Sequence, residues 1–190
     1  MSHFYAMLFR MKYIDRWALM RNTRKESLAE HTLETAFIAH ALAVIHNKRF
    51  GGSVDADKAA VLALFHDAPE IITGDLPTPI KYYNSDIKNI YKEIESAAEG
   101  RLLELLPDDL RPEFENCFET DDPTLKAIVK AADKLSAYIK CAEEVKAGNR
   151  EFVKAMEATR KSLDESDLPE VRYFMDHYME GFNKTLDEMN

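Results

Sequence analysis

The stretch SLAEHTLETAFIAHALAVIH, residues 27–46, predicts the central helix of the fold. Ser27 and Glu30 have the S-x-x-E spacing of a capping box, so the helix should begin near residue 28 and run to about residue 47. Its apolar side chains fall on two sides, with Leu33, Phe37 and Val44 on one and Ile38, Leu42 and Ile45 on the other. A helix that is apolar on both sides is usually central to a bundle.

The rest of the chain also favours helices. Five further regions carry helical apolar spacing: 55–67, 84–107 with Ile87, Ile90, Tyr91 and Ile94 on one stripe, 121–145 behind an Asp122 cap and Pro123, and two C-terminal segments at 149–163 and 169–186. No alternating strand pattern, repeat or low-complexity linker interrupts them. The sequence therefore predicts an all-α fold in a single domain spanning residues 1–190.

Composition narrows the setting and the partners. The net charge of −9 argues against binding to a nucleic acid polymer or an anionic membrane. Cys117 and Cys141 form no disulfide framework, and Arg10 and Lys12 stand too early for a signal-peptide core. No apolar stretch approaches the roughly 20 residues of a membrane span. We expect a soluble, cytoplasmic protein.

A cluster of metal-binding residue types emerges from two of these helices. His31 lies on the stripe continued by Ile38 and Leu42, and His66-Asp67 ends the buried segment 55–67. A buried carboxylate is costly unless it is paired or bound to a cation. Imidazole and carboxylate ligands together suit Mn, Fe, Co, Ni or Zn. A core histidine with a satisfied hydrogen bond is the competing interpretation of His31.

The fourth ligand stays open at this point. Asp133 is a candidate, but it lies off the apolar stripe of its helix with lysines near its own azimuth, which is typical of a solvated aspartate. Asp121 and Asp122 are equally eligible by spacing.

The stretch FHDAPEIITGDLPTP, residues 65–79, adds two carboxylates beside the His-Asp pair. Pro69 disfavours a continuous helix, so the chain is expected to turn there and restart with Glu70 still near the metal, where a general acid or base belongs. Asp75 lies in a loop stiffened by prolines. The competing interpretations are a first-turn glutamate and a turn-capping aspartate.

A local excess of positive charge precedes His31. Arg16, Arg21, Arg24 and Lys25 suggest a phosphate or another anionic substrate, although a surface position is the better interpretation of the last three. Trp17, the only tryptophan, is either a wall for a base or sugar or a core residue.

Three segments together resemble one known family. The isolated His31, the later His66-Asp67 pair and Asp133 in KAADKL look like the HD superfamily of metal-dependent phosphohydrolases. DRWALMRNTRKESLAEHT, ALFHDAPEIITGDLPTPIKYYN and VKAADKLSAYIKCAEE are similar to bacterial HD-domain 5′-deoxynucleotidases along nearly the whole chain. Those enzymes hydrolyse deoxyribonucleoside 5′-monophosphates to the deoxynucleoside and phosphate.

The resemblance implies roles for particular residues. His31, His66, Asp67 and Asp133 would bind one divalent transition metal, and Glu70 and Asp75 would be catalytic carboxylates. Arg16 would hold the phosphate, Trp17 would crowd the sugar 2′ position, and Asp75 and Thr78 would contact substrate. It also implies an HD-type helical bundle and a homodimer. Alternatives are a deoxynucleotide triphosphohydrolase, a cyclic-nucleotide phosphodiesterase or a non-catalytic helical regulatory protein.

Overall fold

Helices make up the regular structure of the described residues, as predicted. The computed structural model describes residues 1–81 and 83–189, apart from the side chain of Thr78. The α-helices of that part of the chain are α1 (Phe4–Leu8), α2 (Leu28–Arg49), α3 (Ala56–Phe65), α4 (Glu70–Thr73), α5 (Thr78–Lys81), α6 (Ser85–Leu103), α7 (Arg111–Phe118), α8 (Pro123–Lys146), α9 (Val153–Asp164) and α10 (Pro169–Tyr178). Short 3₁₀ turns follow α1, precede α9 and follow α10.

The N-terminal ends of α2 and α8 are where the local sequence signals put them. Ser27 accepts a hydrogen bond from the Glu30 N–H while the Glu30 side chain accepts from the Ser27 N–H, which is the predicted capping box of α2. Asp122 caps α8 and Pro123 is its first residue. α6 is shorter than predicted, since it ends at Leu103 rather than at Pro107, and α7 had no clear sequence signal.

The main core forms where α2, α3 and α8 meet, closed by α9 and α10. Leu42 of α2, Leu62 of α3, and Ile128 and Leu135 of α8 are all buried in this cluster. A second cluster joins α1 to the end of α6 around Phe4 and Leu102. The burial of these faces fixes the α2–α3–α8 geometry, and that geometry positions the site described below.

Two of the predicted faces are wrong. Leu33, Phe37 and Val44 of α2 are exposed (50%, 68% and 38%), so this helix is buried on one side only. On α6, Tyr91 is buried as its stripe predicted, but Ile90 and Ile94 of the same stripe are exposed, and the other buried residues are Ala98, Leu102 and Leu103. Apolar spacing reports a stripe but not whether another element of the same chain covers it.

The prediction that no stretch is long and apolar enough for a membrane span also needs correction. By length and composition alone α2 meets that description. More than half of the relevant window is buried inside the protein, as in the core helix of a globular protein. The length and hydropathy of α2 are therefore weak evidence for a span.

A buried ion pair ties the segment before α2 to α8. The Glu144 carboxylate accepts hydrogen bonds from Lys140 Nζ, from the N–H and hydroxyl of Thr23, from the Arg24 N–H and from the Asn149 side chain. Burial alone would raise the pKa of Glu144, but these donors hold it well below its usual range. The segment that leads into α2 is thus fixed although it is irregular.

Candidate active site

Three helices bring two histidines and two aspartates to one point. His31 comes from the first turn of α2, His66 and Asp67 directly follow α3, and Asp133 comes from the middle of α8. His31 Nε2 lies 3.4 Å from Asp67 Oδ2 and 3.1 Å from Asp133 Oδ1, and His66 Nε2 lies 3.2 Å from Asp67 Oδ2. Ligand atoms of His31, His66 and Asp133 all lie within 4.8 Å of one another.

The histidine nitrogens that face this point have no hydrogen-bond partner although they are buried. His66 Nδ1 lies 2.6 Å from the Ala63 carbonyl oxygen, which can only accept, so Nδ1 carries the proton and Nε2 keeps its lone pair in the neutral ring. His31 Nδ1 lies 3.0 Å from the hydroxyl of Ser136, and that hydroxyl is 3.4 Å from the Glu34 carboxylate that can accept from it. Such outer contacts orient metal-binding imidazoles.

The electrostatics of the cluster favour a positive charge at its centre. Burial lowers the pKa of His66, but Asp67 and Asp133 outweigh burial and raise it to about 9. Burial would raise the pKa of Asp67, yet the two histidines lower it well below its usual range. Because the same carboxylates that draw a proton would also attract a cation, the donor set and its charge both fit a divalent transition metal.

The position of Asp133 explains why its helical spacing looked typical of a solvated aspartate. Its side chain is 39% exposed and lies off the core-facing stripe of α8, as the spacing indicated. It is not solvated like a surface aspartate, however, because it lies on the wall of a cleft with its Oδ1 3.1 Å from the buried His31 Nε2. Neither Asp121 nor Asp122 is in the cluster; Asp122 caps α8 instead.

Pro69 leaves Glu70 in the site. Residues 66–69 continue past α3 in a tight turn with bonds from the Ala68 N–H to the Phe65 carbonyl and from the Glu70 N–H to the Asp67 carbonyl. The helix restarts at Glu70, which is 5% exposed. Burial, followed by the charges of Asp67 and Asp75, raises the pKa of Glu70 to about 9, against the nearby Lys81 ammonium 3.8 Å from its carboxylate.

Asp75 is held against the segment that precedes α2. Gly74 adopts φ +74°, a conformation that favours glycine, and turns the chain so that Asp75 is half-buried beside Arg16 and Trp17. The Arg16 charge and the Trp17 backbone N–H both act to lower the pKa of the Asp75 carboxyl. Burial nevertheless raises the pKa of Asp75 above its ordinary value, since it outweighs the Arg16 charge.

Arg16 and Trp17 share one partner. Arg16 Nη1 donates to Glu26 Oε2 at 2.8 Å, and the indole N–H of Trp17 donates to the same oxygen at 3.2 Å. The Trp17 ring packs on Phe152, with 5.4 Å between ring centroids. Trp17 also has φ +58°, which is unusual for a bulky residue and costs on the order of 1–2 kcal/mol.

The site opens into a cleft of about 740 Å³. Of the predicted site residues, Arg16, Trp17, Asp67, Glu70, Asp75 and Asp133 all lie on its wall. The side chain of Thr78 lies outside the described part of the structure. Arg21, Arg24 and Lys25 pair with Glu151, Glu30 and Asp15 at the surface, as the competing interpretation predicted.

Sequence reasoning missed several contributors. Lys134 lines the cleft, and Glu26 holds Arg16 and Trp17 from outside the cleft wall. Ser136 was missed as the partner of His31, because a serine within an apolar stripe carries no distinctive signal. Glu26, which precedes the capping box, has the appearance of an ordinary surface glutamate in the sequence.

The chain is similar to a known family over most of its length. Residues 3–182 match the family described as "5′-deoxynucleotidase YfbR-like". Proteins named 5′-deoxynucleotidase from Shewanella oneidensis and Vibrio cholerae are each 50% identical to the chain, over all of it and 98% of their own length.

Solved structures share the fold. An HD-domain phosphohydrolase from Listeria innocua superposes with a TM-score of 0.82 at 21% identity, covering 95% of this chain and 88% of its own. A cyanophage S-2L HD phosphohydrolase, bound to dA and one catalytic Zn²⁺, has a TM-score of 0.65 at 23% identity and covers 95% and 96%. At these identities the likeness establishes a shared helical architecture.

The geometry of the four-residue cluster, His31, His66, Asp67 and Asp133, predicts stabilisation by metal. Adding Zn²⁺, Mn²⁺ or Co²⁺ to EDTA-treated protein at about 100 times the dissociation constant should raise Tm by roughly 5–10 °C, since only the folded chain assembles the site. Asp133→Asn should lose most of this shift and retain well under one equivalent of metal by elemental analysis. Asp164→Asn, an exposed position on α9, is the matched control and should respond like the wild type. An equal shift in both variants would contradict the assignment.

Proposed function

Because the chain belongs to the YfbR-like 5′-deoxynucleotidase family, we propose that it hydrolyses deoxyribonucleoside 5′-monophosphates to deoxyribonucleosides and phosphate in a metal-dependent reaction. One observation carries the proposal beyond the family name. The cleft wall carries Asp67 and Asp133, which contact His66 and His31 of the cluster, together with a buried carboxyl group, Glu70, and a guanidinium, Arg16. That combination supplies a metal site, a proton-transfer group and an anion anchor within one volume.

We assign His31, His66, Asp67 and Asp133 as the metal ligands, since their unpartnered nitrogens and paired carboxylates face one point. When bound there, a divalent transition ion would supply Lewis acidity toward a phosphate oxygen and acidify a bound water. Arg16 is the anchor for the phosphoryl oxygens, whose charge it offsets as the bond to the 5′ oxygen breaks.

Glu70 is the proposed general acid. Its raised pKa means that a buried, protonated carboxyl is available at neutral pH to donate to the leaving 5′ oxygen. A neighbouring cation would lower that pKa towards neutrality, which is the useful range for proton transfer. Asp75 is the proposed orienter of the attacking water, since its carboxylate lies on the cleft wall close enough to Arg16 to feel its charge.

Trp17 is the proposed gate against ribonucleotides. Its ring lies on the cleft wall next to Arg16 and is backed by Phe152, so it cannot withdraw easily from a sugar positioned by the phosphate anchor. Steric exclusion of a 2′-hydroxyl discriminates by a clash with the wrong substrate rather than by an added contact with the right one.

The alternative HD activities fit less well. A two-metal phosphodiesterase would need further histidines, but His40 pairs with Asp57 at the surface and His46 lies against Glu170. A triphosphate pocket would need more cations; among the described residues of the cleft wall these are Arg16, Lys81 and Lys134, and Lys81 is already paired with Glu95.

A substrate panel tests the proposed function. The full chain with Mn²⁺, Co²⁺ or Zn²⁺ restored after EDTA should release phosphate from deoxyribonucleoside monophosphates, and at least tenfold more slowly from the ribonucleoside monophosphates. Di- and triphosphates should be poor substrates. Preferential hydrolysis of triphosphates or cyclic nucleotides would refute the proposal in favour of the alternatives.

Replacement of Glu70 tests the proton-transfer role. Glu70→Gln keeps the shape of the side chain but cannot donate an acidic proton, so kcat should fall by about 10²–10⁴-fold. Metal content should stay near that of the wild type, because Glu70 is outside the ligand set. Glu95→Gln, which removes the other carboxylate paired with Lys81, is the control and should retain most activity. Wild-type kcat in Glu70→Gln would remove it from the mechanism.

We also propose that the chain forms a homodimer through the exposed face of α2. Leu33, Phe37 and Val44 form an uncovered apolar stripe, and a second copy would bury it at low cost. Sedimentation velocity at micromolar concentration should give a dimer for the wild type and a monomer for Phe37→Glu. The exposed Leu19→Glu is the control, and an unchanged dimer in Phe37→Glu would exclude this face. The cytoplasmic location stays a prediction.

A further inference from the structure

One buried carboxylate outside the cleft wall contacts both of the residues assigned to substrate recognition. Glu26 is 4% exposed and precedes the capping box of α2. Its Oε2 accepts from Arg16 Nη1 at 2.8 Å and from Trp17 Nε1 at 3.2 Å. Its backbone carbonyl accepts from the Arg16 N–H at 2.9 Å, so the main chains are also paired.

This arrangement fixes the distance between two chemically different groups. The Arg16 guanidinium carbon lies 5.9 Å from the centroid of the Trp17 ring, with the Glu26 oxygen bonded to both side chains. Because only Nη1 of Arg16 is used by Glu26, N–H groups on the other guanidinium nitrogens are left for an anionic ligand. A substrate whose phosphate is held by Arg16 would therefore have the Trp17 ring at a fixed distance from that phosphate.

The backbone around Trp17 indicates that this position is enforced. Trp17 has φ +58°, a region that a bulky side chain rarely occupies. Its carbonyl accepts from the Met20 N–H at 2.9 Å and from the Asn22 side chain at 3.3 Å. The indole N–H, bonded to Glu26, is the contact that determines which way the ring faces within this turn.

We propose that Glu26 is the positioning residue that sets deoxyribose selectivity, by holding the Trp17 ring at a fixed place relative to Arg16. This inference rests on the proposed function and deepens it. Glu26 does not line the cleft and takes no part in the chemistry; it acts through Trp17 and Arg16. Selectivity then depends on the spacing between the phosphate anchor and the ring, and not only on the presence of the ring.

A double-mutant cycle tests the contact. Glu26→Gln removes the charge that holds both donors, and Trp17→Phe keeps an aromatic ring but removes the indole N–H. We expect each single variant to lower the deoxy-to-ribo ratio of kcat/KM at least fivefold, measured with deoxyadenosine and adenosine 5′-monophosphates. Adding Glu26→Gln to Trp17→Phe should lower the ratio by less than twofold more, because the bond from the indole N–H to Glu26 is already absent in Trp17→Phe.

Glu144→Gln is the matched control. Glu144 is also a buried carboxylate that anchors the same segment, but it bonds Thr23 and Arg24 rather than Trp17. It should lower thermal stability while keeping the ratio within about twofold of the wild type. An equal fall of the ratio in Glu144→Gln would assign the effect to general loosening and overturn the proposal.

The outcomes separate this inference from the proposed function. A wild-type chain without activity on deoxynucleotides would refute the function itself. If the wild type is active, two results would refute the role of Glu26 alone. One is a deoxy-to-ribo ratio that Glu26→Gln leaves unchanged; the other is a ratio that Glu26→Gln lowers by the same factor in the Trp17→Phe background as in the wild type. If circular dichroism shows that Glu26→Gln does not fold, Trp17→Phe decides, and a wild-type ratio in that variant overturns the proposal.

Discussion

The need to balance negative charge inside the protein controls this structure. Asp67, Glu70, Asp75 and Asp133 all lie on one cleft wall, and carboxylates desolvated so close together cannot all be ionised without compensation. The chain meets this need in two ways: His31 and His66 sit among the ligand carboxylates, and Arg16 lies beside them. The junction of α2, α3 and α8 serves to hold these groups together, and a bound cation would complete the balance.

The same balance separates the roles of the carboxylates. The histidines lower the pKa values of Asp67 and Asp133, which keeps both ionised, the state that a carboxylate needs in order to bind a metal. Glu70 sits one turn further along with a lysine 3.8 Å away, and burial among like charges raises its pKa to about 9. The pKa values of Asp67 and Glu70, which are close in sequence, thus shift in opposite directions, because Asp67 faces imidazoles and Glu70 faces carboxylates.

Sequence reasoning was sufficient where a residue's role follows from its own helix. The capping box located His31 in the first turn of α2, and the apolar run before His66-Asp67 indicated that this pair begins inside. It failed where a role depends on what lies opposite: Asp133 lies off the apolar stripe of α8 because it faces a cleft, and Leu33 and Phe37 lie on a stripe that no other part of the described chain covers. The resemblance to a family supplied Asp133; spacing could not.

The role of Glu26 could not be predicted from the sequence for a different reason. The segment between the first 3₁₀ turn and α2 is irregular, so no periodicity relates Arg16 and Trp17 to a residue ten positions later. Its shape comes from two buried carboxylates, Glu26 and Glu144, whose donors are largely on this segment itself. A backbone at φ +58° persists only where surrounding contacts over-determine it. The residues proposed for substrate recognition therefore lie on a strained segment held by hydrogen bonds, whereas the residues proposed as metal ligands lie on or next to helices held by apolar burial.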